Sequence, residues 1–133
     1  MSLYVGLDVG TTTLSTVILD VQTGALKARH TVVHDAEATS AQDKARGRAE
    51  LDLDRLHSQV LRALAETVAQ VGDECVRVHG IGVTGQMHGL ALLGANNKPL
   101  GPAITWQDRR AQEQIPGTSE TYLERFLSLA GGP

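Results

Sequence analysis

Apolar side chains recur along this chain in two rhythms. Leu3 to Val9 and Leu14 to Asp20 are dense apolar runs separated by a short polar stretch, and they read as adjacent antiparallel strands. Val21-Gln22-Thr23-Gly24 follows as a turn, with Gly24 suited to a positive φ. Ala25 to Val33 reads as a third strand, more polar and therefore nearer an edge. The rhythm then fails: His34 to Glu50 carries mixed charge with no clean period and reads as a long loop. It returns at helical spacing, with Leu53, Leu56, Val60, Leu64, Val68 and Val71 on one stripe, widened by Leu61 and Ala65. That spacing predicts an amphipathic helix of about five turns. Asp52 is its expected N-cap and Gly72 its expected stop.

Beyond the helix, Arg77–Val83 and Leu90–Leu93 read as extended runs. Asn96-Asn97-Lys98-Pro99 is a turn, Ala103–Trp106 a short strand, and Gln107 to Arg110 opens a helix or loop. Tyr122, Leu123, Phe126, Leu127 and Leu129 predict a short helix ending near Gly131. A sheet covered by at least one long helix is an α/β arrangement. The chain closes directly after an apolar helix, so it reads as a piece of something larger.

Composition narrows the picture. The 133 residues suffice for one hydrophobic core, and aromatics at 3% require that core to be aliphatic. Net charge is −3, with no basic stripe, which argues against nucleic acid as the main ligand. The lone Cys75 allows no internal disulfide, shows no catalytic pattern around it, and fits a cytoplasmic home. No run reaches the length of a membrane span and no signal segment leads the chain, so neither membrane nor export is expected.

Three polar stretches carry candidate chemistry. In the first, an apolar strand delivers Asp8 onto Gly10, Thr11, Thr12 and Thr13. A turn with a carboxylate, hydroxyls and backbone N–H groups can hold a phosphate and set a magnesium-bound carboxylate beside it. Asp8 alone reads equally well as a turn aspartate bonded to nearby N–H groups. There is no P-loop lysine, and no helix follows as a dinucleotide fingerprint needs. In the second, Gly80 to Gly89 holds four glycines in ten positions, with Gln86, Met87 and His88 among them. Gln and His suit sugar hydroxyls; the competing reading has Met87 filling core and His88 satisfied by a carbonyl. In the third, the sole tryptophan, Trp106, precedes Gln107-Asp108-Arg109-Arg110. An indole face suits the C–H face of a sugar, while a core-anchoring tryptophan beside a solvated charge run is the alternative. His30, His34, His57 and His79 show no metal-ligand spacing and read as surface or structural.

Taken together, the three stretches resemble the N-terminal part of the FGGY family of carbohydrate kinases. The family's D-x-G-T-[ST] appears as Asp8 to Thr12, its G-Q-M-H-G as Gly85 to Gly89, and its W-x-D-x-R as Trp106 to Arg110. The resemblance implies a ribonuclease H-like, actin-like ATPase domain: a mixed sheet with packed helices, here incomplete at the C-terminus and lacking the second domain. It implies transfer of the γ-phosphoryl of ATP, with Mg²⁺, to a ketose hydroxyl. Asp8 would coordinate Mg²⁺ through water, and Gly10, Thr11, Thr12 and Thr13 would line the phosphate region. Gln86, Met87 and His88 would line the sugar pocket, Trp106 would pack against the substrate, Asp108 would bind its hydroxyls, and Arg110 matches the family arginine. The general-base aspartate and most of the adenosine pocket would lie beyond residue 133, leaving no catalytic residue in this chain.

Xylulokinase-like and sedoheptulokinase-like members both remain in view. Glu50 to Leu56 lacks the proline and tryptophan common in xylulokinases, which leaves room for sedoheptulose or another ketose beside D-xylulose. A non-kinase actin-like ATPase and a sugar-binding module are the rival readings. A severed domain boundary would leave apolar surface on which two copies could pair as a homodimer.

Overall fold

Alternation of apolar and polar residues builds the sheet in this computed structural model, which describes residues 2–131. Strands β1 (Leu3–Val9) and β2 (Thr13–Asp20) form an antiparallel hairpin, and β3 (Ala25–Val33) continues the meander. Leu3, Val5 and Leu7 of β1 are buried, as are Leu14, Thr16 and Ile18 of β2, while their neighbours turn to the other face. Gly24 takes the expected positive φ, at 72°. The more polar β3 is indeed an edge strand.

Residues 34–50 contain more order than their lack of period predicts. Ser40 caps a one-turn helix, α1 (Ala41–Ala45), by accepting the Asp43 N–H at 3.1 Å. Strand β4 (Glu50–Leu51) then pairs with β6 (Ala103–Ile104) in a small second sheet. The long helix α2 (Leu53–Ala69) forms as its stripe predicts, and the Asp52 side chain accepts the Arg55 N–H at 2.9 Å. It ends at Ala69, short of Gly72, which opens a 3-10 turn over Gly72–Arg77.

Strand β5 (Val78–Gly85) returns beside β1 in parallel, giving the order β3-β2-β1-β5. This mixed sheet with packed helices is the ribonuclease H-like, actin-like arrangement. Helix α2 packs on the β2–β3 half of the sheet. One aliphatic cluster holds Leu14, Ala36, Leu51, Leu56 and Ala63, and a second holds Leu3, Val5, Ile18 and Ala28. Neither uses an aromatic side chain. At the sheet–helix seam the buried Thr16 and Thr67 hydroxyls bond to each other, and Thr67 also reaches the Ala63 carbonyl at 2.9 Å.

Leu90–Leu93 does not form the expected strand. Only isolated bridges are made there, Leu90 to Ile104 and Leu93 to Pro99. Glycines flank the run, Pro99 has no N–H to donate, and Leu90, Leu92 and Leu93 stay exposed, so nothing extends the ladder. The C-terminal helix α3 (Tyr122–Ala130) forms behind a capping box of Thr121 and Glu124. Among the described residues, no helix is long and apolar enough to cross a membrane.

Candidate active site

Because β1 and β5 run parallel, their carboxyl ends lie side by side, with Asp8 opposite Thr84 and Val9 opposite Gly85. Ligands of open α/β sheets gather at such strand ends. The β1–β2 turn closes with Gly10 donating its N–H to the Thr13 carbonyl at 2.9 Å. A Cβ on Gly10 would stand 3.0 Å from that carbonyl oxygen, so the tight turn favours glycine. His34, only 7% exposed, braces the turn from below. Its backbone N–H donates to the Thr12 carbonyl at 3.0 Å. Its Nδ1 accepts the Ala36 N–H at 3.3 Å, which leaves Nε2 to donate to the Gly10 carbonyl at 3.2 Å. Read from sequence as surface or structural, His34 is thus structural and sits directly under the candidate phosphate loop.

Asp8 is exposed at the end of β1, and its carboxylate has no protein partner among the described residues. An exposed, unpaired carboxylate in this position suits an ion held through intervening water. No group of three or more His, Cys, Asp or Glu among the described residues is arranged to hold a metal ion.

The second stretch is stitched to the first by backbone contact. Gln86 N–H donates to the Val9 carbonyl at 3.1 Å. A Cβ on Gly85 would lie 2.9 Å from that same oxygen, so only glycine allows the approach. Met87 is 73% exposed, which removes the core-filling reading, and His88 adopts a left-handed φ of 61°, uncommon for a residue with a Cβ. The third stretch crosses over through the reciprocal bonds of Leu90 and Ile104, both 2.8 Å. Trp106 is 56% exposed and anchors no core. Its Nε1–H donates to Thr11 Oγ1 at 3.0 Å, and Thr11 Oγ1 in turn donates to Gln86 Oε1 at 3.2 Å.

Two adjoining depressions result. Asp8, Gly10, Thr11, Gln86, Met87, His88 and Trp106 line one of about 390 Å³. His88, Trp106, Asp108 and Arg110 line the other, of about 590 Å³, so His88 and Trp106 are shared. Thr12 and Thr13 line neither.

The larger depression rests on a network of charges that the sequence did not disclose. Arg48 binds Glu113 in a two-pronged bridge, both bonds 2.9 Å. Asp108, its side chain 2% exposed, accepts the N–H groups of Ala49 at 2.7 Å and Arg110 at 2.8 Å. The Arg110 guanidinium adds bonds of 2.9 and 2.8 Å to Asp108 and one of 2.5 Å to Glu50. Burial alone would raise the Asp108 pKa, but the Arg110 guanidinium and the two N–H donors outweigh it and hold the carboxyl at about 2. Hydrogen bonding to Asp108 raises the Arg110 guanidinium above its ordinary value, and Arg48 lowers Glu113. The oxygens expected to take substrate hydroxyls from Asp108 are therefore engaged by the protein. Leu90, Ile104, Thr105, Ala111 and Tyr122 also line it, and nothing in the sequence marked them as site residues.

Residues 3–129 match the family described as the FGGY family of carbohydrate kinases, N-terminal domain. The chain belongs to that family. A xylulose kinase from Lactococcus lactis subsp. lactis (strain IL1403) is 31% identical over 129 residues, covering 97% of this chain and 25% of that protein. The crystal structure of a xyloylose kinase from Brucella ovis is similar at TM-score 0.73 and 28% identity, covering 83% of this chain and 22% of that one. A gluconate kinase from Lactobacillus acidophilus is also 28% identical, at TM-score 0.63, covering 83% of this chain and 20% of that one. The chain thus spans about a quarter of the length of the curated FGGY relatives it matches.

Proposed function

We propose that this FGGY chain forms the sugar- and phosphate-side wall of an ATP-dependent ketose kinase. The observation that carries the reading is the hydrogen-bonded line Trp106–Thr11–Gln86, which joins the three sequence stretches at one strand end. A phosphate would meet the β1–β2 turn, and a sugar would lie over Trp106, Met87 and His88 with Gln86 as a polar partner. Asp8 would hold a magnesium ion through water, and the ion when bound would neutralise charge on the transferred phosphoryl. Asp108 supports this wall from beneath: it fixes Arg110 and the Ala49 backbone, and so the loop that carries Trp106. The general base and most of the adenosine pocket would lie beyond these 133 residues, the pocket in a second domain, with this chain the N-terminal part of the first. The cytoplasm is the compartment that fits an ATP-using sugar kinase.

The charge balance favours an uncharged sugar. Both guanidinium groups lining the larger depression are bonded to protein carboxylates, Arg48 to Glu113 and Arg110 to Asp108 and Glu50. Neither stands free to pair with a substrate carboxylate. A ketose meets these groups better than an aldonate does. The xylulose kinases among the relatives make D-xylulose the first ketose to test, with sedoheptulose next. The deciding assay measures initial rates of ADP release by the whole protein with Mg-ATP and D-xylulose, D-ribulose, sedoheptulose, gluconate or glycerol. A strong preference for one ketose supports the reading, and a preference for gluconate refutes it.

A further inference from the structure

Thr11 has a single hydroxyl proton, and its surroundings decide where that proton goes. The indole of Trp106 can only donate, so at 3.0 Å Thr11 Oγ1 is its acceptor. The hydroxyl proton is then directed to Gln86 Oε1 at 3.2 Å. One small side chain in the turn thereby sets the tilt of the indole and the sense of the Gln86 amide. With Oε1 engaged by Thr11, the Nε2 hydrogens of Gln86 are without a protein partner among the described residues. They are the donors this wall has to offer a sugar oxygen. We propose that Thr11, on the phosphate side, is the positioning residue that orients both Trp106 and Gln86 on the sugar side, so that the two halves of the site are mechanically linked.

Backbone contacts reinforce the link. The Thr11 turn is held from below by His34, and Gln86 is tied to the same strand end through the Val9 carbonyl. Neither contact reaches the indole, which is exposed and meets the turn through Thr11. A second consequence concerns phosphate. The Thr11 hydroxyl is occupied, so the anion would be met by the backbone N–H groups of Thr11 and Thr12 and by the exposed Thr12 side chain.

The linkage rests on the ketose-kinase reading for its purpose but not for its geometry, and the test separates the two. The readout is the Trp106 indole N–H resonance of the ¹⁵N-labelled whole protein, assigned by its disappearance in Trp106→Phe. Thr11→Val is expected to move that resonance and to speed its exchange with solvent roughly tenfold, while Thr11→Ser keeps both near wild type. D-xylulose is expected to shift the Thr11 and Thr12 amide resonances in the wild type and in Thr11→Ser, and to leave them in place in Thr11→Val. Gln86→Glu keeps an acceptor for Thr11 but loses the donor, so the indole resonance should stay while the response to D-xylulose is lost. That variant also covers the case in which Thr11→Val fails to fold. An indole resonance unchanged in Thr11→Val, or a D-xylulose response preserved there, overturns the positioning role. No response to D-xylulose in the wild type, with the Thr11→Val and Thr11→Ser indole signals still distinct, overturns the sugar-site reading and leaves the geometric assignment standing.

Discussion

Asp8 and Gly85 show how single residues divide between chemistry and architecture at this strand end. Asp8 is exposed and unpaired, so Asp8→Asn should leave the thermal midpoint unchanged while lowering phosphoryl transfer by roughly a hundredfold, the scale of losing a contact that acts on a metal ion through its surroundings. Thermal unfolding and steady-state kinetics on the same preparation check both halves of that expectation. Gly85→Ala should do the reverse. Its Cβ would press on the Val9 carbonyl oxygen at 2.9 Å, a backbone atom that cannot move aside without opening the β1–β5 ladder. A loss of about 1–3 kcal/mol in chemical denaturation is expected, with Gln86 displaced from Thr11. Both residues were legible in the sequence because each sits inside a compact stretch whose residue types point to one chemistry. Arg48 and Glu113 were not: they meet across 65 positions of chain, and nothing local to either marks the other.

At the scale of elements, legibility followed how strongly a segment's own pattern outweighed its context. Helix α2 carries a stripe several turns long and a side-chain cap, so both its existence and its start were readable. Asp52→Ala should therefore cost about 1 kcal/mol in urea unfolding, be rescued by Asp52→Ser, and leave activity alone, since Asp52 caps the helix and lines neither site depression. Helix α1 spans only Ala41–Ala45, too short for a period, and its signal was the Ser40–Asp43 cap rather than any apolar stripe. The Leu90–Leu93 run failed in the opposite sense. Its residues favour a strand, but a strand needs a neighbour, and the chain supplies single bridges there instead. The result serves the site, because the Leu90–Ile104 bridge is what carries Trp106 back across to Thr11.

Across the whole molecule, the hairpin, the β5 return and the β4–β6 pair converge on one wall, and the charges beneath it couple its stability to pH. The Asp108 carboxyl lies near 2 in the folded chain, below its ordinary 3.8. Folding therefore favours its charged form. That contribution is fully present above about pH 4 and is lost as pH falls towards 2, an effect on the order of 2 kcal/mol. Urea unfolding across this window should show stability falling with acid, and Asp108→Asn should flatten the fall. The central claim, that this wall serves transfer of phosphate to a ketose, is tested most directly by ³¹P NMR of the whole protein with Mg-ATP and D-xylulose. The account predicts a new sugar phosphomonoester signal growing in step with ADP. ATP consumed to ADP and inorganic phosphate alone, with no ester formed from any ketose, would contradict it and identify an actin-like ATPase instead.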